Sequence, residues 1–304
     1  MDLASAQNAF VSLVSSLQPL DRPEFLSWCK EHFLNDSSDS KAYFDLRTIA
    51  EDIKTLVPTE AIFPSEKIDH SSIGNLPQTS NERIIHVDSF LFEDDQIDAL
   101  VEEGKLSRNY CKNCGSINVG PITFISHSAS VQRIEFIFQY MLPDLSGKVL
   151  LDVGSRLGAI LYGAYYCSAA SKIIGIEINQ DLCSLQNHII DKYGLGDRIQ
   201  VICENICNLP EIIHAANVII FNNVFECFMP KEMQKQIWIW LRNTITNSGT
   251  ILVTVPSMEE TLSSLETGID ISSWLKKVPI ADPEAVLKMD DQDLLSEVCS
   301  YVVI

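Results

Sequence analysis

The stretch Lys148–Gly158, Lys-Val-Leu-Leu-Asp-Val-Gly-Ser-Arg-Leu-Gly, limits the possible folds more than any other part of the chain. Its apolar run, Val149 to Val153, is broken only by Asp152, as expected of a strand buried on both faces of a parallel sheet. Gly154 permits a tight turn, and Gly158 lets the following helix, expected over Leu157–Ala170, begin close to the strand. That helix would aim its partly positive N-terminus at a ligand above the sheet. A second strand, Lys172–Ile178, brings Glu177 to the same edge. A carboxylate about 20 residues past a glycine turn is placed to accept hydrogen bonds from a ribose diol.

Composition narrows the class further. The 304 residues suffice for one substantial core with an appendage, or for two small domains. No run of eighteen apolar residues occurs, so no membrane-spanning helix is expected. The N-terminus lacks the basic start and apolar core of a signal peptide. Nine scattered cysteines, several inside apolar segments (Cys167, Cys183, Cys203, Cys227), read as reduced thiols of a cytoplasmic or nuclear protein. The formal charge of −19 repels phosphate backbones, which disfavours unaided nucleic-acid binding and suits a basic protein substrate or partner. A merely solubilising acidic surface explains the charge equally well.

Hydrophobic spacing divides the chain into four regions. Residues 1–58 read as a cap of three helices, with Leu3, Ala6, Phe10, Val14 and Leu17 on one face of the first. Residues 59–82, with Pro64, Gly74 and Pro77, read as a linker. The connecting segment 83–125 holds an expected strand, Ile84–Phe92, and a helix, Asp94–Glu103. It also carries Cys111-Lys-Asn-Cys114, half of a zinc-chelating set. His86, His127, or Cys29 with His32 are the available completing ligands, and a glycine-ended turn over two reduced thiols is the simpler reading. From 126 onward, strands and helices alternate as in a doubly wound sheet: a helix Val131–Leu142 capped by Ser126 or Ser128, then strands near Arg198–Cys203, Asn217–Phe221 and Thr250–Val255. Possible helices follow at Glu259–Leu265 and Ile271–Lys277, and the chain ends on the strand-like Tyr301–Ile304.

The turn Asp152-x-Gly154-x-x-x-Gly158 lacks the closely spaced glycines of a dinucleotide fingerprint. It resembles motif one of the class I S-adenosylmethionine-dependent methyltransferases, a likeness that spans about Phe124 to Pro256, with Arg156 where the family commonly has glycine. The resemblance implies a mostly parallel, Rossmann-like α/β sheet with helices on both faces, and S-adenosyl-L-methionine as cofactor. It assigns Asp152, Gly154 and Gly158 to the methionine moiety, Glu177 to the ribose, and Asn205 with Ile206 to the adenine. Asn222-Asn-Val-Phe225 stands where many N-methyltransferases carry Asn-Pro-Pro-Tyr/Phe, without the prolines. It is also similar to the Asn-Asn-Phe-Ala-Phe segment of histone-lysine methyltransferases that lack a SET domain. By this likeness Asn222 accepts a hydrogen bond from an incoming amine while Phe225 packs against it. The expected function is N-methylation of a protein side chain. RNA or a small molecule stays open as acceptor, and so does a partner-binding module that keeps the fold without the chemistry.

Overall fold

The computed structural model describes residues 3–33, 38–58, 61–66, 84–103, 109–111, 119–121, 123–125, 128–226, 228–280 and 297–304. The chain divides into two compact units, Met1–Asp45 and Leu46–Ile304. The first holds α1 (Leu3–Ser16), α2 (Arg22–Phe33) and the start of α3 (Ser38–Lys54). Phe10 of α1 stacks on Phe25 of α2 with ring centroids 6.4 Å apart. The division falls inside α3.

In the second unit Leu46, Ile49, Ala50 and Ile53 form a buried stripe along the rest of α3, at the spacing that puts residues on one helix face. The short strand β1 (Ile84–His86) is followed by α4 (Asp94–Glu102), whose Glu93 and Gln96 form a capping box. Next come β2 (Asn109–Cys111), β3 (Val119–Pro121) and β4 (Thr123–Ile125); β1 pairs with β4, and β2 with β3. The strand expected over Ile84–Phe92 ends at His86, because Asp88 turns the chain by accepting the Phe90 N–H. Helix α5 (Val131–Phe136) runs into a π-turn, Ile137–Met141. Its cap is Ser130, which accepts from the Arg133 amide, and not Ser126 or Ser128. Ser128 instead donates to Asp88, and Ser126 and His127 lie outside the described residues.

The principal sheet is built from β5 (Val149–Val153), β6 (Lys172–Glu177), β7 (Ile199–Cys203), β8 (Val218–Asn222), β9 (Ile251–Val255), β10 (Leu275–Val278) and β11 (Cys299–Val303). Between them lie α6 (Ala159–Cys167), α7 (Gln180–Tyr193), α8 (Pro210–Ala215), α9 (Lys231–Thr244) and α10 (Met258–Ser264). The strand order is β7-β6-β5-β8-β9-β11-β10, and β11 alone runs opposite to the other six strands. Numbered from β5, this is 3-2-1-4-5-7-6, the order of the class I methyltransferase sheet. The chain therefore has that fold, as the motif resemblance implies.

One local expectation is corrected and another is borne out. The helix expected over Ile271–Lys277 is a single 3-10 turn, Ile271–Ser273, leading into β10, where Leu275 is buried and Lys276 and Lys277 are exposed. The terminal run is the seventh strand, inserted between β9 and β10, with Tyr301 fully buried. One face of the sheet carries a core of Leu151, Val153, Ile174, Ile176 and Phe221 under Trp238 of α9. Trp238 lies 5.1 Å from the Phe221 ring and 5.6 Å from Phe225. Among the described residues, no helix is long and apolar enough to cross a membrane.

Candidate functional site

The sheet reverses direction at β5, since β6 and β8 flank it on opposite sides, and a doubly wound sheet binds ligands above such a switch point. A cavity of about 400 Å³ lies there, at the carboxyl ends of β5, β6, β7 and β8, within the usual range for small-ligand sites. Of the residues singled out from sequence, Gly154, Glu177, Asn205, Ile206, Asn222 and Phe225 line it. Asp152 and Gly158 do not.

Register explains the absence of Asp152. Leu151 and Val153 face the core, as do Ile174 and Ile176, so alternation turns Asp152 and Glu177 to the opposite face together. Asp152, however, pairs with Gly175, two residues short of Glu177, which sets it about 7 Å deeper. The space over Gly175 is filled: a Cβ there would lie 2.6 Å from Leu161 Cδ1 and 2.8 Å from Ser155 Oγ. Burial, and next the charge of Glu177, push the Asp152 pKa up to about 8. Its carboxyl lies below the cavity, and Asp152 is not among the residues that line it. At Gly158, the missing Cβ makes room for the Tyr162 phenol, 2.5 Å from where that atom would sit. Gly158 thus serves helix packing.

Glu177 is the best-defined polar group at the rim. Its Oε2 accepts the Arg156 N–H at 3.0 Å and its Oε1 accepts the Asn179 N–H at 2.9 Å. Burial raises its pKa, and these backbone donors partly oppose the rise. Each oxygen keeps a second lone pair, so a diol can still be bound. The β5–α6 turn around it has already committed four of its amides: Gly154 and Ser155 N–H both donate to Ile176 O, Arg156 N–H to Glu177 and Gly158 N–H to Ser155 O. Such a turn offers little to a pyrophosphate, which needs free backbone donors. The lining acids Glu66, Glu177 and Glu204 reinforce this, because Arg156, the single cation among the described lining residues, is tied to Glu66 and Asp88.

Beyond Glu177, Ile178 at the rim is 64% exposed and Ile206 presents an apolar flank. Asn205 accepts the Cys207 N–H on its own Oδ1 and so caps the following 3-10 turn. At the β8 edge Asn222 is buried, with Oδ1 at 3.5 Å from Arg133 Nη1, a long contact. Phe225 is 2% exposed and wedged between Phe221 and Trp238, so it is chiefly a core residue whose edge reaches the cavity. The turn without prolines is nevertheless held: Asn223, at φ +49°, donates its N–H to Val255 O, and Phe225 N–H donates to Glu226.

Three lining groups escaped the sequence reading. Val224 packs onto Gly154, and Met233 and Ile237 of α9 extend the cavity with apolar surface; both α9 residues look like ordinary core positions in sequence. Ser65 and Glu66 come from the segment read as a linker. Of the zinc candidates, Cys111 ends β2 and Cys114 lies outside the described residues; no cluster of metal-binding side chains occurs among those described.

No family model matches the chain, and no curated protein matches it. Solved structures do resemble it. A putative rRNA-methylase from Clostridium thermocellum is 12% identical, over 57% of this chain and 92% of its own, with a TM-score of 0.37. An RNA methyltransferase from Salinibacter ruber in complex with S-adenosyl-L-homocysteine is 18% identical over 58% and 93%, with a TM-score of 0.38. An O-methyltransferase from Bacillus cereus in complex with S-adenosylhomocysteine is 11% identical over 59% and 84%, with a TM-score of 0.41. At such values the strand order, not the superposition, identifies the fold.

Proposed function

We propose that this cavity binds S-adenosyl-L-methionine and that the chain is a methyltransferase. The supporting observation is Glu177: a rim carboxylate held by two backbone N–H groups, beside a turn that has four of its amides bonded internally and therefore suits an adenosyl group without phosphates. When bound, the sulfonium supplies an electrophilic methyl group for in-line displacement. Glu177 would accept from the ribose hydroxyls, Ile178 and Ile206 would flank the adenine, and Asn205 would meet the polar edge of the base. Asn222 would orient the acceptor at the β8 edge through its Oδ1, and the buried surroundings would exclude water. For the acceptor we favour a nitrogen on a basic protein, in keeping with the charge of −19.

A specific observation favours a second reading, a partner-binding module with the same fold: Val224 over Gly154 and Tyr162 over Gly158 use both glycines for internal packing. Isothermal titration with S-adenosylmethionine and S-adenosylhomocysteine separates the two. The methyltransferase reading expects binding that Glu177→Ala weakens at least tenfold, the effect of hydrogen bonds to a charged group. Absence of binding to the intact chain selects the module. Transfer of labelled methyl groups into fractionated lysate then shows whether protein, RNA or small molecules receive them.

A further inference from the structure

Arg156 occupies a position in the β5–α6 turn that no ordinary side chain favours. Its φ is +47°, and Ala61, 95 residues earlier, is likewise left-handed at +52°. The two are joined directly, since Arg156 Nη2 donates to Ala61 O at 2.6 Å. The same Nη2 reaches Glu66 Oε1 at 3.2 Å, and Nη1 reaches Asp88 Oδ2 at 2.9 Å. All three side chains are at least 93% buried. The acids are themselves fixed: Glu66 Oε2 accepts the Phe63 N–H at 2.7 Å, while Asp88 accepts Ser128 Oγ at 2.6 Å and the Phe90 N–H at 3.0 Å. Strained backbone conformations held by surrounding structure concentrate at ligand clamps. Here both ends of such a clamp meet one guanidinium.

The segment this guanidinium holds belongs to the cavity. Ser65 and Glu66 line it beside Glu177 and Asn179, and Ser65 Oγ donates to Asp181 Oδ2 at 2.6 Å at the start of α7. Arg156 also lines the cavity, and through its backbone N–H it orients the Glu177 carboxylate. One residue therefore sets the rim acid with its main chain and one wall with its side chain. We propose that Ala61–Glu66 is part of the ligand-binding site and that Arg156 and Glu66 are positioning residues, which seat this segment as a wall over the ligand. The inference rests on the reading of the cavity as an adenosyl site.

Hydrogen–deuterium exchange and stopped-flow ligand release on the whole protein test it, with S-adenosylhomocysteine as probe. In the intact chain the ligand is expected to slow exchange at 61–66 as well as at the turn after β6. Glu66→Gln keeps the size of the side chain and removes its charge. It is expected to speed exchange at 61–66 without ligand and to raise the dissociation rate about tenfold, the loss of one charge-assisted hydrogen bond. Arg156→Gly, compatible with φ +47°, should act in the same direction and more strongly. Thermal melting identifies a variant that has unfolded, and only the folded fraction enters the rate comparison, which a purely structural ion pair would leave unchanged. If the intact chain binds but exchange at 61–66 ignores the ligand, or Glu66→Gln releases it at the native rate, the wall is refuted and the adenosyl reading stands. If the intact chain binds no adenosyl ligand, that reading fails and takes the wall with it.

Discussion

Replacing Asp152 by Asn tests whether that carboxyl is structural and neutral. The substitution preserves shape and removes the ability to ionise. In the folded chain the Asp152 pKa is raised to about 8 from an ordinary 3.8, so the native state keeps a proton that the unfolded chain gives up. Stability from this group is thus complete below pH 4, declines as pH rises, and reaches its full cost above pH 8. At ~1.4 kcal/mol for each pH unit between the two values, the cost at pH 8 has an upper bound of about 6 kcal/mol. Asp152→Asn escapes this cost. Its melting temperature should match that of the native chain below pH 4 and exceed it progressively toward pH 8. For a chain of this size ~1 kcal/mol corresponds to about 2–4 °C, so a difference of several degrees is expected at pH 8. A difference of equal size at pH 5 and pH 8 would refute the reasoning, because the effect would then come from packing and not from ionisation.

Three further outcomes follow from packing at the site. Gly154→Ala places a methyl group 2.3 Å from Val224 Cγ2 at φ +74°, and should cost about 2–4 kcal/mol from backbone strain and overpacking; adding Val224→Ala should return the steric part, measured as a favourable coupling in a double-mutant denaturation cycle. Phe225→Ala should lose about 3–5 kcal/mol in urea denaturation, and Phe225→Leu should leave S-adenosylhomocysteine affinity within threefold, because the ring belongs mainly to the core with Phe221 and Trp238. Tyr301→Phe leaves the Met258 N–H, which now donates to Tyr301 Oη at 3.1 Å, without its acceptor, and should cost about 1–3 kcal/mol by thermal denaturation.

The central sheet was legible because its strands are buried on both faces and so read as unbroken apolar runs, as at Val218–Phe221. The rim residues that lie within a few positions of a strand end, Gly154, Glu177 and Asn222, were legible for the same reason: local spacing fixes them to one edge. The sixth strand was not, because β10 is four residues long and holds two exposed lysines, a pattern that also fits a helical turn. The depth of Asp152 depended on its pairing with Gly175, which is a property of register between strands and leaves no trace in either one alone. The partners of Arg156 were equally hidden. Asp88, Glu66 and Ala61 stand 68, 90 and 95 residues away, and the stretch that supplies two of them has the proline and polar composition of a connector.

A phosphate-bearing nucleotide and an adenosyl sulfonium make opposite demands on the turn after β5. The first needs free amides and an uncompensated cation; the second carries net positive charge at its reacting end and tolerates acids nearby. In this chain four amides of the turn are committed internally, and the one lining cation among the described residues is shared by two buried carboxylates. Substituting arginine for the usual glycine has therefore not created an anion site. Glu66 and Asp88 cancel the added charge, and Glu177 and Glu204 remain to set the sign of the field in the cavity. Such a field favours a cationic cofactor over its neutral demethylated product, so the charge change that accompanies methyl transfer would itself help the product to leave.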